Sequence, residues 1–518
     1  MHHNGSDKNK KGDLWFDVRY FFIVLALLGL YACTPPPPVT LQGKHPVVTL
    51  QQFQHRLDQL LADSLLQPTN VGIKIVSLTT GQTLYEYNAH KLFHPASNMK
   101  LLTTATALHQ LGVDYRFKTV IGTDSIAMLT DSVLQGNLYI KGYGNPQLTL
   151  ENLDWLARQV HRQGIRQVKG NIVCDATYFD STRWPMGWMW DDQNSSDFVS
   201  VGSLVVNNNI VEITLFPGDS EGDTLQYQMN PPTTILEVVN QGVTVTDSVT
   251  DAVVAEREWQ WPRNRVIIRG QMQVGQPAEV FEVDVLHPQR FVGDLFRQAL
   301  NRVGIKVSGN IQEGEMPASV RILAIHQSEP LSVIVLHTNK PSHNLSAEML
   351  CKTLGAELSG VPGTWEKGLQ AIRQYLASVG IDSTDYEIVD GSGVSRYNLL
   401  TPSQLVQLLV AVHQDNAIQP EFTASLPIAG VDGTLKQRMK GTPAENNLRA
   451  KTGTLSGVST LSGYTETADG EQLAFSIMMQ HFLVPAREVR AIQDKIGAWM
   501  SSVIIRYPQK QLEAQSRE

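Results

Sequence analysis

Ser97 and Lys100 stand three residues apart in the chain's one Ser-x-x-Lys, Ser97-Asn98-Met99-Lys100. A serine hydroxyl is a weak nucleophile at neutral pH and needs a base beside it. Residues i and i+3 of a helix share a face, so Lys100 can bring its amine to the Ser97 hydroxyl. The amine is a base only when neutral, and its pKa of about 10.4 must fall by roughly 3 pH units, about 4 kcal/mol. Burial and a second nearby cation both push that way. Lys451, in the one Lys-Thr-Gly of the chain, can be that cation. A second serine, in Ser342-His343-Asn344, completes a set suited to acyl transfer. The plain alternative for the first motif is a serine N-cap followed by a solvated lysine.

The elements that must hold these residues are legible. Pro95 precedes the serine and suits a helix start. Leu101, Leu102, Ala105, Leu108 and Leu111 then form an apolar stripe on an amphipathic helix, stopped by Gly112. Ser97 near that N-terminus can offer its own N–H as one oxyanion donor. Lys451-Thr452-Gly453-Thr454 runs into Val458–Tyr464, a turn at Ala468-Asp469-Gly470, and Leu473–Met479, which reads as strand, turn, strand. There Lys451 and Thr452 can hold a substrate carboxylate, Gly453 lets a substrate backbone approach, and the Thr454 N–H is the natural second oxyanion donor. The alternative is a hairpin edge with solvated polar residues. Ser342-His343-Asn344 is the weakest element, because Ser308-Gly309-Asn310 and Tyr143-Gly144-Asn145 compete for its place. Ser342 is preferred because an apolar helix follows it, with Leu345, Met349, Leu350, Leu354 and Leu358 near one face. His343 and Ser342 are adjacent at a helix start and do not face each other.

Each motif alone is modest; chance rarely puts all three in this order on these element types. The chain resembles the D-alanyl-D-alanine carboxypeptidases/endopeptidases of the penicillin-binding protein 4 type, the S13 peptidase family. The likeness covers nearly everything after the leader. It is carried by His94–Lys100, by Asn339–Asn344 with Ala347-Glu348, by Asp390-Gly391-Ser392-Gly393-Val394-Ser395-Arg396, by Gly430–Leu435, and by Lys451–Thr454. Roughly 240 residues separate Lys100 from Ser342, and the family has a long insertion there. The resemblance implies that Ser97 is acylated with Lys100 as its base. It implies that Ser342 relays a proton to the leaving amine, that Asn344 binds the substrate amide, and that Lys451 and Thr452 bind the terminal carboxylate. It implies peptidoglycan stem peptides and β-lactams as partners. His343 stands where the family often has Asp and is not expected to do chemistry. There is no Glu-x-x-Leu-Asn, which speaks against a dedicated β-lactam-hydrolysing enzyme. A non-catalytic cell-wall-binding lipoprotein is the remaining alternative, and the intact Ser97, Lys100 and Lys451 speak against it.

The chain has 518 residues, too many for one core. A net charge of −8 gives no basic surface for nucleic acid. No dinucleotide or P-loop fingerprint, His-Glu-x-x-His or Cys-x-x-Cys is present, so no cofactor or metal is expected. Of the three cysteines, Cys174 and Cys351 are expected as buried free thiols, with one disulfide as the alternative. Cys33 ends a leader. Lys8, Lys10, Lys11 and Arg19 precede an apolar run of about twelve residues from Phe21, too short for a spanning helix, which needs about 20. Leu30-Tyr31-Ala32-Cys33 looks like a lipoprotein cleavage box with lipidation at Cys33, and Thr34-Pro35-Pro36-Pro37-Pro38 is a stiff spacer. The expected location is the periplasm, anchored to a membrane by lipid; an uncleaved signal anchor is the alternative.

The expected fold class is α/β (α+β), with an antiparallel sheet against a helix cluster. The expected division is a lipoprotein-type signal peptide at 1–33 and a Pro-rich linker at 34–50. A discontinuous transpeptidase-like catalytic domain follows at 51–118 and 322–518, with an inserted domain at 119–205 and 281–321 and a nested β-rich domain at 206–280. Two phrases, Gly164–Gly170 and Gly304–Gly309, each follow a predicted helix (151–163 and 291–303) and suggest internal pseudo-symmetry.

Overall fold

The structure, a computed structural model, describes residues 47–63, 66–189, 198–258 and 264–505. The leader with Cys33 and all but the last residues of the proline-rich linker lie outside the described residues. Among the described residues no helix is long and apolar enough to cross a membrane.

A five-stranded antiparallel sheet joins the two ends of the chain. Its order is Arg449–Leu455, Val458–Glu466, Gln472–Gln480, Asn70–Ser77, Thr83–Tyr87. The middle strands are buried along nearly their whole length because both faces are covered. Phe475, Ile477 and Met479 point to one core with Phe53, Leu57 and Ile496, from the helices Leu50–Leu61 and Ala486–Met500. Ala474 and Met478 point to the other core with Leu405 and Leu408 of the Pro402–Gln414 helix. That second face carries the helix cluster, which includes Leu331–Asn339, Asn344–Ser359 and Trp365–Ser378.

The helix after Ser97 differs from the amphipathic one expected. A 3-10 turn, Ala96–Asn98, precedes Met99–Leu111, and every residue from Met99 to Leu108 is buried. The polar side chains on its far face are tolerated because their hydroxyls are satisfied locally. Thr104 and Thr106 donate to Lys100 O (2.6 Å) and Leu102 O (2.8 Å), and Thr103 donates to Gly391 O (2.6 Å). A threonine-rich face therefore marks a central helix here, not a solvated one.

The chain leaves this body along Lys118–Asp124 and returns along Val320–Gln327, and the two strands pair antiparallel. The return strand reaches past residue 322, where the second segment of the catalytic domain was expected to begin. Between them lie mostly short strands. Glu279–Asp284 pairs with Ile210–Phe216 across the expected boundary at 280. The two repeated phrases have a common structure. Gly164 and Gly304 end their helices at φ +85° and +84°, a conformation that favours glycine. Ile165 and Ile305 are buried, and Gln167–Val168 pairs parallel to Lys306–Val307. The following strands Ile172–Asp175 and Ile311–Glu313 pair parallel as well. Cys174 and Cys351 are buried free thiols.

One segment of the insertion leans on the helix cluster. Asp180 N–H donates to Gly363 O (3.1 Å), and Val201 N–H to Arg183 O (3.0 Å). Lys352, whose side chain is 0 % exposed, pairs with Asp180 Oδ1 at 2.5 Å and donates to Thr182 O at 2.9 Å. Its ammonium sits 4.0 Å from the Trp365 ring centroid. Burial pulls its pKa down against the carboxylate that raises it. Lys352→Met keeps the stem and removes the charge. It is expected to speed amide exchange at Asp180 and Val201 about tenfold, roughly 1.4 kcal/mol, while exchange in Gln472–Gln480 stays unchanged; hydrogen-exchange mass spectrometry reads both.

Candidate active site

The turn that carries Ser97 is fixed to the sheet. Ala96 is held at φ +46°, an uncommon backbone for a residue with a Cβ, immediately before Ser97. Thr460 Oγ1 donates to Pro95 O (2.9 Å), and Asn98 Nδ2 donates to Ser462 Oγ (2.7 Å). Two glycines allow the close approach. A Cβ on Gly453 would meet Thr460 Oγ1 at 2.2 Å and Pro95 O at 2.8 Å, and one on Gly393 would meet Ala96 O at 1.8 Å. The strand Arg449–Leu455 and the loop at 390–395 therefore both abut the backbone that carries Ser97.

Lys100 is fully buried. Its Nζ lies 2.9 Å from Ser97 Oγ, 2.6 Å from Asn344 Oδ1 and 2.8 Å from Ser392 O. The last two are acceptors only, so they take N–H bonds whatever the charge of the amine. Ser342 sits at φ +69° between two helices. Lys340 fastens this corner, pairing with Asp432 Oδ2 (2.7 Å), donating to Leu426 O (2.7 Å) and accepting from Thr434 N–H (3.1 Å) on its carbonyl. His343 caps the helix that follows; its ring nitrogen accepts from Ser346 N–H (3.3 Å). Burial first, then the charge of Lys100, pushes His343 down to about 4, so its ring is neutral at neutral pH.

Lys451 is fully buried too, with its pKa held well below the usual lysine range by burial and then by the charge of Lys100. It donates to Thr452 O at 2.9 Å. A cavity of about 550 Å³ is lined by Ser97, Ser342, Asn344, Thr452 and Thr454, and not by Lys451 itself. Ser308 and Tyr143 lie elsewhere. Ser308 N–H pairs with Val168 O, in the repeated unit of the insertion, and Gly144 N–H pairs with Ser203 O in a turn.

Further residues reach the cavity that motif reading did not single out. Thr434 Oγ1 accepts from Thr452 Oγ1 (2.7 Å), and Arg396 donates to Ser456 O (2.8 Å). Met189 and Phe198 come from the insertion. Two buried carboxylates hold the 390–395 loop. Asp390 accepts from Gly393 N (2.8 Å), Ser395 N (2.7 Å), Asn398 Nδ2 (2.8 Å) and Trp188 Nε1 (3.1 Å). Glu348 accepts from Ser392 N (2.7 Å), Gly391 N (2.9 Å) and Trp365 Nε1 (2.7 Å). Burial raises both pKa values, and the charge of Asp390 raises that of Glu348 further. The glycines of Asp390-Gly391-Ser392-Gly393 were the available signal for a close approach. Nothing in the sequence around Met189 and Phe198 pointed to the cavity.

Comparison with known proteins agrees with this geometry. The profile of the D-Ala-D-Ala carboxypeptidase 3 (S13) family matches residues 53–503. A D-alanyl-D-alanine carboxypeptidase of Actinomadura sp. (strain R39) is 35% identical over 487 residues, covering 89% of this chain and 88% of that one. The D-alanyl-D-alanine carboxypeptidase DacB of Haemophilus influenzae is 27% identical, covering 80% and 86%. The crystal structure of penicillin binding protein 4 (dacB) from that organism superposes with a TM-score of 0.75 at 23% identity, over 87% of this chain and 98% of the other. The fold is shared.

His343 bonds Ser346 N–H and Oγ, contacts that a neutral ring makes. His343→Asn keeps an N-cap side chain and removes the imidazole. Turnover of a D-Ala-D-Ala peptide is expected to stay within about twofold, with the acidic limb of its pH profile unmoved, since a group titrating at about 4 is already neutral there. A pH–rate series on both proteins checks this; a displaced limb would make His343 a participant.

Proposed function

The chain belongs to the S13 family of D-Ala-D-Ala carboxypeptidases, serine-type hydrolases, and on that premise we propose that it trims peptidoglycan stem peptides through an acyl-enzyme on Ser97. The observation that carries this is the Lys100 amine, fully buried, 2.9 Å from Ser97 Oγ and bonded to two groups that can only accept. A neutral amine has two N–H groups and one lone pair. With Asn344 Oδ1 and Ser392 O taking the N–H groups, the lone pair is left for the Ser97 hydroxyl proton.

Ser97 Oγ then attacks the carbonyl carbon of the penultimate D-Ala while Lys100 takes the proton. The oxyanion sits between the N–H groups of Ser97 and Thr454. The C–N bond breaks as Ser342 relays to the leaving D-Ala amine the proton that Lys100 took, which restores both groups, and water later cleaves the ester. Asn344 also faces the cavity and can bind the substrate amide. Thr452 meets the terminal carboxylate, a reading supported by its place on the cavity wall beside Thr434. Lys451 supports it from beneath: a carboxylate arriving over a buried, proton-poor lysine favours its charged form. That same charge keeps Lys100 neutral. The reading extends to cross-link cleavage, since an endopeptidase uses the same acyl-enzyme, and to penicillin, whose acyl group would lodge on Ser97. The H. influenzae penicillin binding protein 4, solved in complex with a β-lactam, supports the last point by shared fold.

Incubation with purified muropeptides should release terminal D-Ala, and penicillin should leave a covalent adduct on the peptide containing Ser97; mass spectrometry reads both. Ser97→Ala is expected to lose both. An unmodified Ser97 in folded, treated protein would overturn the mechanism.

We also propose that the mature protein begins at a lipidated Cys33 and faces the periplasm. The basic region, the short apolar run and Leu30-Tyr31-Ala32-Cys33 support this. Two or more acyl chains suffice for stable attachment where one is marginal. Labelled fatty acid should enter the wild-type chain and not Cys33→Ser. No label in the wild type would leave a plain signal peptide or anchor in its place.

A further inference from the structure

We propose that Glu348 is a positioning residue for acyl transfer, fixing the Gly391–Ser392 backbone so that the Ser392 carbonyl holds the Lys100 amine at Ser97. The inference rests on the acyl-enzyme reading of Ser97 and Lys100. Its own ground is a chain of short bonds through buried atoms. Glu348 is 0 % exposed and lies on the Asn344–Ser359 helix, one turn beyond Asn344. Its Oε1 accepts the Ser392 N–H at 2.7 Å, and its Oε2 accepts the Gly391 N–H at 2.9 Å. The same residue, Ser392, presents its carbonyl to Lys100 Nζ at 2.8 Å. Thr103, one turn past Lys100 on the nucleophile's own helix, donates to the Gly391 carbonyl at 2.6 Å. The backbone at 391–392 is thus gripped on its N–H side by Glu348 and on its carbonyl side by the helix that carries the base.

A carboxylate is the group that fits this place. Two consecutive N–H groups and the Trp365 indole N–H converge on two oxygens, and each needs an acceptor. An amide side chain offers one acceptor oxygen and one donor nitrogen, so it must set N–H against N–H at one of the three. Carrying a full carboxyl in this place opposes ordinary burial costs, and the nearby Asp390 adds to them. Cys351 and Lys352, farther along the same helix, also feel the charge of Glu348, and Arg373 on the Trp365–Ser378 helix acts on Cys351. On the Lys100 side stand Lys451 and His343. Nothing places Glu348 in the cavity, so it touches no substrate and acts through the loop.

The direction of its effect follows. The Ser392 carbonyl stabilises the ammonium form of Lys100 and aims it. When that carbonyl turns away, the neutral amine is favoured, so the acidic limb of the acylation profile moves to lower pH. Aim is lost at the same time, so the plateau falls.

The test is Glu348→Gln, with the rate of penicillin acylation at Ser97 measured per titrated site from about pH 5 to 9. The expected result is a plateau lowered about 10- to 100-fold, a limb moved to lower pH, and little change in the concentration of half-saturation. If the variant does not fold, Trp365→Phe removes one N–H from the same carboxylate and is expected to move the limb the same way by less. A residue that only supports folding would reduce the number of titrated sites and leave the rate per site and the limb unchanged; that outcome in either folded variant overturns the proposal. Wild-type protein that takes up no penicillin on Ser97 instead overturns the acyl-enzyme reading, and this proposal with it.

Discussion

Everything around the site answers to one electrostatic constraint: an amine buried without solvent must be aimed at a single hydroxyl. Lys100 lies within 3 Å of atoms from three separate parts of the chain, the Ser97 turn, Asn344 and Ser392. Each of these needs its own brace. Ser97 has the sheet, through Pro95, Asn98 and the glycine at 453. Asn344 has the Lys340–Asp432 clamp behind it. Ser392 has Glu348 and Asp390. Positive backbone φ at Ala96, Ser342 and Gly393 marks where these braces bend the chain out of its ordinary conformations.

The braces are polar and buried, and that makes them unforgiving. A buried carboxylate left without donors costs far more than its bonds return when complete. Glu348 and Asp390 are tolerable because each collects several N–H groups from one short loop. The arrangement favours one conformation of that loop over its neighbours in energy, which is what a site with sub-ångström demands requires.

Much of this was legible from residue types and spacing. Ser97, Ser342, Asn344, Thr452 and Thr454 line one cavity, and Lys100 lies buried against Ser97 and Asn344. The strand-turn-strand after Lys451 follows from two strand-like runs flanking the Ala468-Asp469-Gly470 turn. The limits are physical as well. Periodicity finds an apolar stripe and predicts an amphipathic helix, whereas from Met99 to Leu108 the helix is buried on every face. Glu348 sits among Leu345, Met349 and Leu350, and a pattern of apolar positions cannot tell a buried, satisfied carboxylate from a solvated one. Lys451 reads as a ligand-facing cation, whereas its side chain lies fully buried under the cavity wall. Met189 and Phe198 reach the cavity through tertiary packing over a long insertion, which no local signal encodes.

The pairing of Asn70–Ser77 with Gln472–Gln480 has a consequence in time. Asn70 and His481 touch although they are 411 positions apart. A ribosome adding 5–20 residues per second needs roughly 20–80 s to span that distance. For most of that interval the segment with Ser97 has no sheet to pin it, because Gly453, Thr460 and Ser462 have not been made. The inserted region, whose leads Lys118–Asp124 and Val320–Gln327 already lie side by side, is complete well before. Synthesis order therefore keeps the Ser97 turn unpinned until the strands Arg449–Leu455 and Val458–Glu466 have been made, so that a chain cut short before them carries Ser97 and Lys100 without the sheet that holds them.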